Sequence, residues 1–165
     1  MLRPLRLPFG HHQPAAGTYQ VRPFHESYVR QLQTIVKDTL GEFYEASLFT
    51  NLHNTWPEGQ LLAISENRVI GFVVSMISYE KRARILLFGV EPSWRGKGVA
   101  RGMMDTFINR CRGQRFEDIT LEVRISNARA IKFYQRYGMA IVDPLPHYYP
   151  DGEDGYLMWL SLKTV

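Results

Sequence analysis

The sequence predicts an α/β fold of layered helices on a mixed sheet, in the order β-α-α-β-β-β-α-β-α-β-β, and three features point to it. A meander of three apolar strands runs between residues 60 and 90. Helical periodicity of 3.6 brackets it on both sides. The last strand of the meander breaks into a glycine-rich turn, Arg95-Gly96-Lys97-Gly98-Val99-Ala100, which opens a further helix.

Taken in order, Tyr19-Gln20-Val21-Arg22 is a short strand. Tyr28, Val29, Leu32, Ile35 and Val36 recur at helical spacing from Ser27 to about Lys37. Gly41 interrupts that pattern, and a second helix is expected from Phe43 to His53, followed by a turn marked by Asn54, Pro57 and Gly59. The meander comprises Gln60–Ser65, Val69–Ser78 and Arg84–Val90, with tight turns at Glu66-Asn67 and at Glu80 to Arg82. Its middle member carries Phe72, Val73, Val74, Met76 and Ile77, which predicts burial on both faces. A helix follows over 99–112, then a strand at Ile119–Arg124. The next helix runs from Asn127 to Tyr137 and is closed by Gly138 in the left-handed C′ position. Ala140-Ile141-Val142 and Gly155–Leu162 complete the sheet.

Composition bounds the reading. The chain has 165 residues and a net charge of +4, enough length for one domain with a sizeable core. It lacks the run of about 18 apolar residues that a membrane helix needs. A basic balance admits nucleic acid, but the cations are dispersed, and an anionic small molecule accounts for them equally well, so no nucleic-acid partner is expected. The single cysteine, Cys111, lies on an apolar helical stripe, which makes it a core thiol rather than a nucleophile and suits a reducing cytoplasm. Residues 1–17 contain three prolines, two arginines and no acid. They read as a flexible or surface-draped extension of a domain over 18–165, and the prolines oppose the amphipathic helix of a transit peptide. His11 and His12 lack nearby partners for a metal, and no metal site is expected.

The turn at 95–100 is an anion site in outline. Two glycines let backbone approach a phosphate, the free N–H groups of a first helical turn point at it, and Arg95, Lys97 and Arg101 surround it with positive charge.

These residues resemble the GNAT acyl-CoA N-acyltransferases, whose turn signature Gln/Arg-x-x-Gly-x-Gly/Ala is met at every specified position from Arg95 to Ala100. The stretch Leu121-Glu122-Val123-Arg124-Ile125-Ser126-Asn127-Ala128-Arg129-Ala130-Ile131-Lys132-Phe133-Tyr134 is similar to RimI, the ribosomal-protein alanine acetyltransferase, and to related archaeal and eukaryotic N-terminal acetyltransferases. His147-Tyr148-Tyr149-Pro150 resembles the tyrosine-rich hairpin loop of that subgroup. The resemblance spans roughly 18 to 162. It implies a mixed, mostly antiparallel sheet of about seven strands flanked by four helices. It also implies acetyl-CoA as donor, with the diphosphate on residues 95–101 and the pantetheine along Phe88, Gly89 and Val90. Asn127, Ala130 and Tyr134 would complete that site. The acceptor would be a peptide or protein N terminus, among them a ribosomal protein, with a small amine or lysine as the alternative and a non-catalytic module binding CoA or nucleic acid as the more distant one.

Glu122 alternates with Leu121 and Val123 on its strand and so points away from both. The resemblance makes it the general base; the residues alone allow equally a solvated glutamate or a salt bridge with Arg124. Tyr134 lies two turns beyond Asn127 on one helical face. Its position in an apolar stripe fits a core tyrosine, and the resemblance makes it the acid that protonates the leaving thiolate. Asn127 fits both a helix N-cap and a pantetheine contact. Two segments would flank the acceptor, with Glu42, Phe43 and Tyr44 in the first and Tyr148 and Tyr149 in the second. Gly41, Met139 and Phe88-Gly89-Val90 depart from the usual family residues, changes of size and shape that bear on which first residue is accepted.

Overall fold

The computed structural model describes residues 17–164. The expectations for residues 1–16, His11 and His12 included, lie outside it. β1 (Gln20–Pro23) leads through a short 3₁₀ turn into α1 (Val29–Leu40) and α2 (Ala46–Thr55). The meander β2 (Leu61–Ser65), β3 (Arg68–Tyr79) and β4 (Arg82–Val90) follows, then α3 (Val99–Gly113), β5 (Asp118–Arg124), α4 (Ala128–Arg136), β6 (Ala140–Leu145) and β7 (Gly155–Ser161). The sheet order is β1-β2-β3-β4-β5-β7-β6, antiparallel throughout except for β4 beside β5. Seven strands, four helices and the element order are as the sequence predicts.

Strand alternation sorts the core into two layers. Leu61 and Ala63 face one way, with Met103, Met104, Phe107 and Cys111 of α3. Leu62 and Ile64 face the other, with Leu32, Ile35 and Val36 of α1 and Phe49 of α2. Two local expectations hold in detail. Glu66 and Asn67 both adopt positive φ (49° and 62°), the backbone of a two-residue hairpin turn. Gly138 at φ 87° closes α4 by a Schellman motif, with its own N–H on the Gln135 carbonyl and that of Met139 on Tyr134.

Several element ends shift by a few residues, and three departures have a clear physical cause. β3 is buried on both faces only from Val69 to Ser75, and Ile77 is 37% exposed. At about 3.3 Å per residue a twelve-residue strand outruns the twelve-residue helix α1, which rises only about 1.5 Å per residue. α2 starts at Ala46 rather than Phe43. The Tyr44 ring packs edge-on against Phe49, its hydroxyl bonds Glu42, and Gln33 Nε2 donates to the Tyr44 carbonyl at 3.0 Å, so this segment is held outside the helix. Arg82 belongs to β4 and not to the turn, because its guanidinium pairs with Asp118 across the β4–β5 ladder. Among the described residues, no helix is long and apolar enough to cross a membrane.

Candidate active site

The site begins where two parallel strands part. β4 and β5 pair from Arg82↔Asp118 to Ile85↔Leu121 and no further. At that point β4 has a bulge: Ile85 opposes Ser75 and Leu87 opposes Val74, leaving Leu86 unmatched. The extra residue switches faces, so that Ile85 and Leu87 belong to opposite core layers. Beyond it β4 continues on β3 and β5 on β7, and a cleft of about 1620 Å³ opens between them. Gly89 permits this path, since a Cβ there would lie 2.5 Å from the Phe72 ring. Phe88 turns toward α4, with its ring 5.7 Å from Phe133 and 6.1 Å from Tyr134.

At one end of the cleft stands the glycine-rich turn. Gly96 (φ 77°) and Gly98 (φ 82°) need the left-handed conformation, and the space beside both is open, with nothing within 4 Å of an added Cβ. Gly98 is the N-cap of α3 and offers no side chain to its first-turn N–H groups. Arg95 Nε donates to the Val90 carbonyl at 3.2 Å, which fastens the turn to the end of β4. Tyr19 donates to the Gly98 carbonyl at 3.0 Å and occupies the space where a Gly102 Cβ would sit. Uncapped N–H groups, small residues and cations make this a fitting cradle for the diphosphate of a coenzyme. Val99 is buried, so only its backbone is offered to the cleft; Ala100, Arg101, Ala130 and Asn127 line it. Lys97 is the exception. Its side chain lies outside the lining, with Nζ over the Trp94 ring at 5.1 Å. Asn127 caps α4 by accepting from the Ala130 N–H at 3.2 Å, which leaves its amide N–H₂ free to donate.

Glu122 and Tyr134 reach the cleft from opposite faces of the sheet. Tyr134 sits in the α3 layer with Leu121 and Val123, and Glu122 projects to the other side. Only the gap between the strands lets both line one cavity. Burial, with Tyr149 adding to it, holds the Tyr134 phenol well above the ordinary tyrosine range, so it keeps its proton. The partner of Glu122 is not Arg124. Arg84 holds it, with Nε 3.1 Å from Oε2 and Nη2 3.0 Å from Oε1. Arg124 is taken instead by Asp151 (2.8 Å) and Glu153 (3.0 Å) in the β6–β7 loop and lies 4.1 Å over the Tyr149 ring.

The two acceptor walls are those the sequence indicates. The α1–α2 loop contributes Glu42, Phe43 and Tyr44, and the β6–β7 loop contributes Tyr148 and Tyr149. Phe43 is 59% exposed at the mouth. Tyr44 is pushed up to about 12, by burial first and then by its bond to Glu42. Tyr149 also rises to about 12 through burial, against the opposing pull of Arg124. Tyr148 packs edge-on against it at 5.1 Å.

Sequence reasoning passes over Arg84, and over Arg129, Lys132 and Arg136, which line the cleft along α4 and form no ion pair among the described residues. The α4 cations leave a legible signal, a helix with three positive charges and no acid. Arg84 leaves only the alternation Arg-Ala-Arg-Ile, and its partner depends on which strand lies beside β4. Cys111 is fully buried in the α3 layer, outside the cleft lining, and its thiol is pushed up to about 12 by that burial. It is no nucleophile.

Comparison with known proteins agrees with this geometry. The family model for the acetyltransferase (GNAT) family matches residues 25–139. The crystal structure of Ard1 from Thermoplasma volcanium superposes with a TM-score of 0.84 at 36% identity, covering 88% of this chain and 99% of that one. An N-alpha-acetyltransferase of Saccharolobus solfataricus is 29% identical over 142 residues, 79% of this chain and 85% of the relative. N-alpha-acetyltransferase 30 of Schizosaccharomyces pombe is 24% identical over 138 residues, 81% and 92% of the two. With a matched family model over most of its length and a cleft built for an acyl-coenzyme, the chain belongs to the GNAT acetyltransferase family.

Proposed function

We propose that the chain is an N-alpha-acetyltransferase that transfers acetyl from acetyl-CoA to protein N termini, with Glu122 as general base and Tyr134 as general acid. The observation that carries the reading is the opening between β4 and β5, which brings a carboxylate and a buried protonated phenol into one cavity beside an uncapped helix start. Relatives named as N-alpha-acetyltransferases, matched over most of their length, support the acceptor class. The activity is assigned to one domain over 18–165, with 1–17 as an extension and the cytoplasm as the compartment. The N terminus of a ribosomal protein is one acceptor of this class.

When bound, acetyl-CoA supplies an acetyl group activated as a thioester. Residues 95–101 would hold its diphosphate, with Arg95 and Arg101 as cations and Lys97 as a more distant charge. The edge of β4 that β5 leaves unpaired at Phe88, Gly89 and Val90 would pair with its pantetheine as an added strand, and Asn127 would donate to the same arm. Glu122 would take a proton from the acceptor ammonium and pass it to solvent. The freed amine would then attack the thioester carbonyl, and the second proton lost from that nitrogen would also go to solvent. Tyr134 would donate a proton to the departing thiolate sulfur and regain one from solvent. An α-amine has a pKa near 8, so roughly a tenth is neutral at pH 7, whereas lysine near 10.4 is neutral to well under 0.1%. One carboxylate is therefore adequate for an N terminus. Phe43, Tyr44, Tyr148 and Tyr149 wall the slot that the chain end enters, and Glu42 beside Tyr44 adds negative charge at its mouth.

The test is acetylation of a peptide panel with varied first residues, a ribosomal-protein N terminus included, against free lysine side chains and polyamines. Turnover of the α-amines is expected. Preference for polyamines or lysine would reject the reading.

A further inference from the structure

Arg84 stands on β4 just before the last register pair with β5, on the face of the sheet that Glu122 shares. Its guanidinium engages both carboxylate oxygens at 3.0 and 3.1 Å, and its Nη2 also donates to the Tyr148 hydroxyl at 3.2 Å. One rigid fork thereby joins β4, β5 and the β6–β7 loop. The side chains are 32% and 17% exposed, so water competes only in part for these bonds.

Nearer the start of the ladder, Arg82 (two residues before Arg84) and Asp118 (four before Glu122) form a similar pair where the two strands are already in register. At Glu122 the ladder has ended. The last register pair, Ile85↔Leu121, lies one residue short of Glu122, and the Arg84–Glu122 bridge spans the strands where they part. Each carboxylate oxygen keeps a second lone pair, so Glu122 can still accept from an incoming ammonium.

We infer that Arg84 is a positioning residue: it sets the direction of the Glu122 carboxylate and, through Tyr148, ties the acceptor loop to that same carboxylate. The inference rests on Glu122 being the base. Base geometry and acceptor docking are then set by one guanidinium.

The experiment measures kcat, peptide KM and CoA affinity for R84A, R84K, Y148F, E122Q and the R84A/E122Q double variant. R84A is expected to lose about tenfold or more in kcat, the scale of a misaligned catalytic group, with CoA affinity unchanged. Millimolar guanidinium ion restores part of that loss in R84A and none in E122Q. R84K, which keeps the charge but lacks the fork, falls between parent and R84A; it also carries the test should R84A fold poorly. Y148F raises peptide KM more than it lowers kcat. The double variant turns over no more slowly than E122Q alone, because Arg84 acts through Glu122.

The outcomes separate the two claims. Parental turnover by E122Q rejects the base assignment. With E122Q slow, the role of Arg84 is overturned by any of three results: R84A within about twofold of parent, a full additional loss in the double variant, or no response to guanidinium.

Discussion

The two ends of the β4–β5 pair are made of the same materials and differ in use. At the paired end, Arg82 meets Asp118 beside an intact parallel ladder. At the open end, Arg84 meets Glu122 beside a bulge at Leu86, and a cavity replaces the next hydrogen bonds. An arginine–carboxylate pair beside a closed ladder stabilises the sheet. The same pair at the mouth of a cleft leaves its carboxylate on the cavity wall, where the proposed acceptor would enter. Context, set by one unmatched residue, separates structure from chemistry.

That contrast is broken most directly at the open end. E122Q should lower kcat by about 10²-fold or more, with a loss of thermal stability no larger than the roughly 1 kcal/mol of a weakened ion pair, read by steady-state assay and melting temperature. A large loss of stability with intact kcat would show that the two ends are alike after all. Y134F should follow with a smaller loss of kcat. Burial holds the Tyr134 phenol above the free value near 10, so the acid is still protonated there and kcat stays level through about pH 10 in the parent. A decline beginning about one unit lower would dismiss Tyr134 as the acid.

The glycine turn sharpens the picture from the coenzyme side. G98A forces a Cβ into a left-handed conformation at φ 82°, a strain of roughly 1–2 kcal/mol, and should weaken CoA binding about tenfold by calorimetry.

At the paired end, D118N should cost about 1 kcal/mol of stability, kept small by solvent screening of the partly exposed Arg82, with kcat unchanged. Hydrogen bonds from Arg82 hold the Asp118 carboxyl below the usual carboxylate range, against the opposing effect of its burial. A depressed folded value means that this stability is in place above the unfolded pKa near 4 and is lost as pH falls through the folded value. Melting temperature should therefore fall less steeply in D118N than in the parent over that acid window. Smallest of all, Cys111 in the native protein should resist alkylation at pH 8 and react once unfolded, because burial raises its thiol to about 12.

Much of the frame was legible because it depends on local chemistry. Glu66-Asn67 announces a tight turn, Gly138 a helix stop, and Gly96 with Gly98 a backbone open to phosphate. Burial of Tyr134 and capping by Asn127 follow from helical spacing. The α2 start is not legible in the sequence, because apolar periodicity runs on through Phe43 and Tyr44 while a side-chain bond to Glu42 and packing on Phe49 hold that stretch outside the helix. The partner of Glu122 was illegible for a different reason. Arg124 shares its strand face, but the β6–β7 loop brings Asp151 and Glu153 to Arg124 and leaves Glu122 to a residue 38 positions earlier.

From residue order alone came the succession of strands and helices and the outline of an anion site at the glycine turn, since each is written in spacing over a few neighbours; the roles of Glu122 and Tyr134 came only with the family resemblance. The parting of β4 from β5, the meeting of Glu122 and Tyr134 through that gap, and the hold of Arg84 came from the folded chain. They depend on which strands become neighbours and where their register fails, and those are properties of long-range packing that no short stretch of residues encodes.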